Sequence, residues 1–162
     1  MIKNKYVWKL IYIFILGYEV DFGHLEALSL INAAKYSEKC TGYIATGIML
    51  NETNTSYELL EVVINSIQTD LKCGNEVYES LALSTVANIA AEEFARSLSK
   101  PVQRLAFAVD YRPSYFIQKK ACLCLYSLFK KDPDRMFDRE AWADAFENEL
   151  LTQKNYGLLL SA

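Results

Sequence analysis

One histidine, three prolines, six glycines and no arginine before Arg96 are the scarcities that shape this 162-residue chain. The lone His24 stands between Gly23 and Leu25 with no nucleophile pattern beside it. Ser/His/Asp or Cys/His chemistry would rest on that single side chain, so no enzyme is expected and His24 reads as structural. Few breakers, with 52% hydrophobic and 23% charged residues, exclude a disordered, collagen-like or low-complexity polypeptide. Four cysteines, at 40, 73, 122 and 124, fit no zinc spacing. They read as small buried apolar groups in a reducing, cytosolic setting, with no metal or other cofactor implied. Cys122 and Cys124, two apart on one helix, should point to different faces. Neither common glycine-rich phosphate loop occurs.

Charge is unevenly placed. No acid precedes Glu19, so Lys3, Lys5 and Lys9 form a basic island, and they leave 14 of the 17 bases against all 20 acids in the remainder. A net charge of -3 and the late first arginine argue against a nucleic-acid groove along the body, while a small anionic target at the N-terminal end stays open. The apolar run Leu10 to Leu16 follows the lysines, as in a secretory leader. No small-residue cleavage site follows it, and it is far too short to span a bilayer, so neither reading is adopted.

What the chain has throughout is helical period. Val7, Leu10, Ile11 and Phe14 fall at i, i+3, i+4 and i+7, and Gly17 supplies a left-handed stop, which predicts a first helix over 3–16. Further helices are predicted over 23–34, capped near Asp21; over 38–50, capped by Ser37 and burying Ile44, Ala45 and Ile48; and over 56–72 and 76–90. The last three are predicted over 91–109, bent at Pro101, over 114–131 and over 139–151. Paired acids such as Glu92 and Glu93 sit at helix starts, where they suit the dipole. Aromatics such as Phe14, Phe94, Phe107 and Phe129 coincide with apolar positions and read as core.

Segments beginning at Gly42, Ser80, Lys120 and Gly157 resemble one another faintly, at intervals of 38, 40 and 37 residues. That spacing matches the helix pair of HEAT and armadillo repeats, so the expected fold is all-α, an α-α superhelix in which each pair stacks on its neighbours. Residues 1–162 are expected to be one segment of such a solenoid, cut from a longer chain, since Leu158, Leu159 and Leu160 end it without a polar cap.

One aromatic differs from the rest. Tyr6 lies among Lys3, Lys5 and Lys9, a combination that can neutralise and hydrogen-bond a phosphorylated headgroup, although a solvated basic helix end would look the same.

Four stretches carry a resemblance: Lys5-Tyr6-Val7-x-Lys9-Leu10, then Leu16-Gly17, then Asp21-Phe22-Gly23-His24-x-Glu26-Ala27, then Lys35-Tyr36-x-Glu38-Lys39-x-x-Gly42-Tyr43. With Asn65-x-Ile67-x-x-Asp70-Leu71, Leu81-Ala82-Leu83, Ala121-x-Leu123-Cys124-Leu125 and Asp138 to Trp142, they resemble the N-terminal trunk of the adaptins, nearly end to end. Lys-Tyr-Val-x-Lys-Leu and Asp-Phe-Gly-His resemble the α-adaptin class, of the plasma-membrane clathrin adaptor. Tyr18 is more like the γ class of the Golgi and endosomal adaptor, which stays open, as does a generic HEAT scaffold without a lipid role.

The resemblance implies a subunit of a clathrin adaptor complex in vesicle-mediated protein transport and endocytosis, cytoplasmic and peripheral on plasma-membrane coated pits. It implies a small σ subunit and a second large subunit as partners, and a phosphatidylinositol 4,5-bisphosphate membrane at Lys3, Lys5, Tyr6 and Lys9. Asn4 departs from it, standing where the family carries a further lysine.

Overall fold

A computed structural model of the chain describes residues 2–50, 56–89, 91–107, 113–133, 143–144, 146–150, 152 and 154–161. Among these residues there are helices and turns and no strand. The helices are α1 Ile2–Ile15, α2 His24–Ile31, α3 Tyr36–Met49, α4 Tyr57–Asp70, α5 Glu76–Ile89, α6 Glu92–Ala106 and α7 Tyr115–Lys131. A π-helical turn at Phe146–Leu150 and a short α8, Tyr156–Leu159, follow. The all-α class expected from the period is what the chain adopts; of the expected eighth helix, 139–151, residues 143–144 and 146–150 are described and helical, the latter as the π-helical turn, and the others lie outside the described residues. The chain divides into two compact units, 1–67 and 68–162.

In the first unit, Val7 and Ile11 of α1 pack with Val20, Ala27, Leu30, Ala45 and Met49, and Leu10, Phe14 and Ile44 close over them. The stripe read from the sequence is therefore the buried one. α1 ends as predicted: Gly17 adopts φ 91°, its N–H bonds to Phe14 O at 2.9 Å and the Tyr18 N–H to Ile13 O at 3.3 Å. That pairing absorbs two orphan carbonyls, and the left-handed residue it needs costs least as glycine.

α2 and α3 pair antiparallel, His24 lying near Met49 and Leu50, and Gly42 near Ile31. Gly42 permits their closest approach, because a Cβ there would fall on the backbone nitrogen of Ile31. α2 is shorter than predicted. It stops at Ile31 because the buried Lys39 reaches back and donates to Ile31 O at 2.7 Å, placing an ammonium on the negative end of the helix. Asp21 does not cap α2. Gly23, at φ 87°, leads into it, and its carbonyl accepts the Ala27 N–H at 3.0 Å. A side chain at Gly23 would collide with Leu10. Ser37 does not cap α3 either, since that helix already starts at Tyr36 with Lys35 before it. Ile48, expected inside, is exposed.

In the second unit α6 is the most sharply two-sided helix. Phe94, Ala95, Leu98, Val102, Leu105 and Ala106 are buried, and Pro101 lies inside it. Proline has no N–H to give the carbonyl four residues back. That carbonyl, Ser97 O, is taken instead by Gln68 Nε2 at 3.2 Å.

α7 stacks on α5 at the spacing of the faint repeat: Lys120 Nζ donates to Ser80 Oγ at 2.8 Å, joining residues 40 apart that occupy equivalent positions in their units. A second 2.8 Å bond to Ser84 Oγ completes the tie. Cys122 and Cys124 do point apart, yet both are buried, because α7 is covered by α5, α6 and α8 from several sides. Burial pushes their thiols up to about 11 and about 12. Cys73 is exposed and Cys40 half-buried, against expectation. Phe94 and Phe107 are core as read, Phe14 is partly covered and Phe129 is largely exposed.

Candidate functional site

Rotation of α1 decides what its basic residues can touch. With Val7 and Ile11 buried at 1% and 2% exposure, a turn of about 100° per residue sends Lys9, midway between them, to the opposite side. Lys5, one turn earlier, follows it. The roll is held from outside the core as well, since Trp8 Nε1 donates to Thr41 Oγ1 at 3.1 Å, and the Thr41 hydroxyl donates to Ser37 O at 2.8 Å. Nothing in the sequence pattern announced that link across 33 residues.

Lys3, Lys5, Tyr6 and Lys9 are all exposed, on the first turns of one helix. Tyr6 is the centre of the group, with Lys3 three residues before it and Lys9 three after, the spacing at which helical side chains meet. Lys9 Nζ lies 5.6 Å from the Tyr6 ring centroid, within cation–π range. Lys5 stands beside Lys9 on the outer face, and none of the three lysines has a carboxylate partner among the described residues. α1 itself contains no acid. Lys9 thus lies against the phenol ring, and Lys3 and Lys5 add two further exposed ammonium groups on the same turns, a set able to donate hydrogen bonds to an anionic group.

Asn4 differs from this quartet. Three residues before Val7, it is turned toward the core flank, and its Oδ1 is buried without a hydrogen-bond partner. The outer stripe also carries apolar groups that the charge pattern does not announce: Ile2, Tyr6, Lys9 and Ile13 follow one another at i, i+4, i+7 and i+11, and Ile2 is 72% exposed. A 3.6-residue count outward from Val7 and Ile11 would have found them.

Elsewhere, His24 lines a small apolar cavity with Ala27, Leu28, Ala45, Thr46, Met49, Leu50 and Leu59. Among the described residues no group of three or more metal-ligating side chains gathers. Nor, among the described residues, is any helix long and apolar enough to cross a membrane.

Over residues 2–162 the chain matches the family described as Adaptin N terminal region. It is 46% identical over 160 residues, 99% of its length, to AP-2 complex subunit alpha-1 of Arabidopsis thaliana, and covers 15% of that relative. AP-2 complex subunit alpha-2 of Dictyostelium discoideum is 37% identical over 159 residues, 98% of this chain and 15% of the relative. AP-1 complex subunit gamma-1 of Schizosaccharomyces pombe is 35% identical over 160 residues, 99% of this chain and 17% of the relative. The chain thus spans about 15% of the length of the first of these relatives.

Proposed function

The chain belongs to the adaptin family, in its N-terminal region, and on that footing we propose that it is a trunk segment of the α-type large subunit of a clathrin adaptor, a scaffold whose α1 face meets a phosphoinositide headgroup. Its work is then vesicle-mediated protein transport and endocytosis. Residues 1–162 form one stretch of HEAT/armadillo-like repeats within the larger subunit. A small σ subunit and a second large subunit are its protein partners, and its place is the cytoplasmic face of plasma-membrane coated pits. The higher identity to AP-2 alpha subunits than to the AP-1 gamma subunit favours the α type. No catalytic role enters the reading.

The observation that carries the lipid part is Lys5 and Lys9 on the outer side of α1 beside Tyr6, with Lys3 exposed on the same first turns and none of the three paired with a carboxylate among the described residues. Lysines near an anionic bilayer contribute about 1 kcal/mol each, so three give about 3 kcal/mol, weaker than a millimolar interaction. One such patch does not hold a protein on a membrane. An adaptor built of several subunits multiplies weak contacts through effective concentration, which suits a low-affinity site on each.

Sedimentation of the chain with phosphatidylcholine vesicles, with and without phosphatidylinositol 4,5-bisphosphate, tests the reading. We expect binding only with the inositide, steeply weakened by salt. Equal sedimentation with both vesicle types would leave a HEAT scaffold without a lipid role.

A further inference from the structure

α7 carries a second lysine-rich face, in the other unit and made of different residues. Its inner side is Ile117, Gln118, Ala121, Cys122, Cys124, Leu125 and Leu128, all buried. On the opposite arc Tyr115, Lys119, Leu123, Tyr126 and Lys130 succeed one another at i, i+4, i+8, i+11 and i+15, every one exposed. At about 1.5 Å per residue that stripe runs about 22 Å, four turns of helix. Phe116, 56% exposed, flanks it. α7 contains four lysines and neither an acid nor an arginine. Lys119 and Lys130 have no carboxylate partner among the described residues, and Lys130 Nζ sits 4.6 Å from the Tyr126 ring centroid. The roll that turns this face out is pinned by Lys120, whose ammonium is spent on Ser80 and Ser84 of α5.

An outward face of alternating aromatic rings and unpaired cations, on a chain of net charge -3, is complementary to something anionic with an apolar margin. Two occupants have that chemistry, an acidic protein segment and an anionic bilayer. The composition separates them. Protein interfaces enrich arginine, whose fork pairs with carboxylates, and deplete lysine at their cores. Lysine with tyrosine is instead a pairing of the lipid–water boundary, where amphipathic rings sit at headgroup depth and ammonium groups reach the phosphates on flexible stems.

We propose that the outer face of α7 is an anionic-membrane contact, reading general negative charge such as phosphatidylserine and not a particular headgroup. It is independent of the α1 patch and does not rest on the inositide reading. Two lysines, with Leu123 and Tyr126 between them and Tyr115 and Phe116 before them, give a weak contact that acts together with others.

The test uses phosphatidylcholine vesicles with and without phosphatidylserine, no inositide present, at low salt. The chain carries Lys5→Glu and Lys9→Glu to silence α1, and helicity is checked by circular dichroism. Adding Lys119→Glu and Lys130→Glu should weaken binding to the phosphatidylserine vesicles about tenfold or more, while Lys119→Arg and Lys130→Arg should retain it. In the unaltered chain those vesicles should shield Lys119 and Lys130 from acetylation, with the exposed Lys100 of α6 as unshielded control. Unchanged binding on charge reversal, or equal acetylation with and without vesicles, overturns the proposal. So does binding of a polyglutamate peptide in place of the vesicles, which would assign the face to an acidic protein. Loss of inositide binding by α1 variants alone bears only on the α1 reading.

Discussion

α1 and α6 bury their inner faces equally well and treat their outer faces in opposite ways. Val7 and Ile11 on one, and Phe94 and Leu98 on the other, are nearly or wholly inaccessible. On the solvent side of α6, Glu92, Arg96, Lys100 and Arg104 recur every four residues, and Arg96 meets Glu92 at 3.5 Å and Glu93 at 3.2 Å. Acids stand among its bases and are ion-paired along the helix through Arg96, as suits a solvent-facing surface. On the outer side of α1, lysines stand without acids among Ile2, Tyr6, Tyr12 and Ile13. On the reading proposed above, a face that combines unpaired charge of one sign with exposed rings is the one that meets an anionic headgroup. The difference between the two helices teaches that the inner stripe makes the fold and the outer stripe shows what a helix is for.

The sharpest way to break that comparison is to show that the inner faces are not equivalent supports. Phe94→Ala should cost about 3–5 kcal/mol, the range for emptying an aromatic site in a closed core. Tyr6→Ser on the outer face of α1 should change stability by no more than about 0.5 kcal/mol. Urea unfolding followed by circular dichroism reads both. A Phe94→Ala penalty below about 1 kcal/mol would mean that α6 is loosely held, and the contrast would lose its footing.

Next in size is the charge itself. Reversing Lys5 and Lys9 to Glu should reduce inositide-vesicle binding by about thirtyfold, two lysines at about 1 kcal/mol each, with the unfolding midpoint unmoved. Reversing Lys100 and Arg104 on α6 changes the net charge by the same amount and should leave vesicle binding within about twofold. Equal losses in the two variants would mean that overall charge, not the α1 patch, governs association.

How much of this could be read from the chain alone follows from what a helical period reports. It identified the inner stripe of α1 and the stop at Gly17, and the faint repeat put Ser80 and Lys120 in equivalent places, where they turn out to be hydrogen-bonded. Periodicity marks apolar positions but not which of them a neighbour covers, so Ile48 and Phe129 were expected inside and lie outside. Both expected caps failed: Asp21 had the right chemistry, but Gly23 at φ 87° leads into α2, and Ser37 lies inside α3, which already starts at Tyr36. Of the candidate site, Lys3, Lys5, Tyr6 and Lys9 were legible as a group. The Trp8 to Thr41 bond that holds their helix in rotation is a tertiary fact with no local trace.

A smaller effect sharpens the account of α6. Gln68→Leu strands Ser97 O, which Pro101 cannot serve, and should cost about 1–2 kcal/mol. Pro101→Ala returns an N–H to that carbonyl, so in its background Gln68→Leu should cost appreciably less. Additive costs in the double-mutant cycle would show that the glutamine and the proline do not share the carbonyl.

The smallest expected change asks whether the α1 face is as strong as its helix allows. Asn4 points toward the flank of the core with its Oδ1 buried and unpartnered. A lysine stem can lie along that flank and carry its ammonium out to water, removing a stranded carbonyl while adding a fourth charge beside Lys3 and Lys5. Asn4→Lys should therefore tighten inositide-vesicle binding about fivefold, the value of one further lysine at about 1 kcal/mol, and leave stability equal or slightly higher. Asn4→Leu supplies the control, since it removes the same unpartnered oxygen without adding charge and should match the stability of Asn4→Lys while binding as the unaltered chain does. If both variants bind alike, the fourth charge does not reach the lipid and the outer face of α1 ends at Lys3, Lys5 and Lys9.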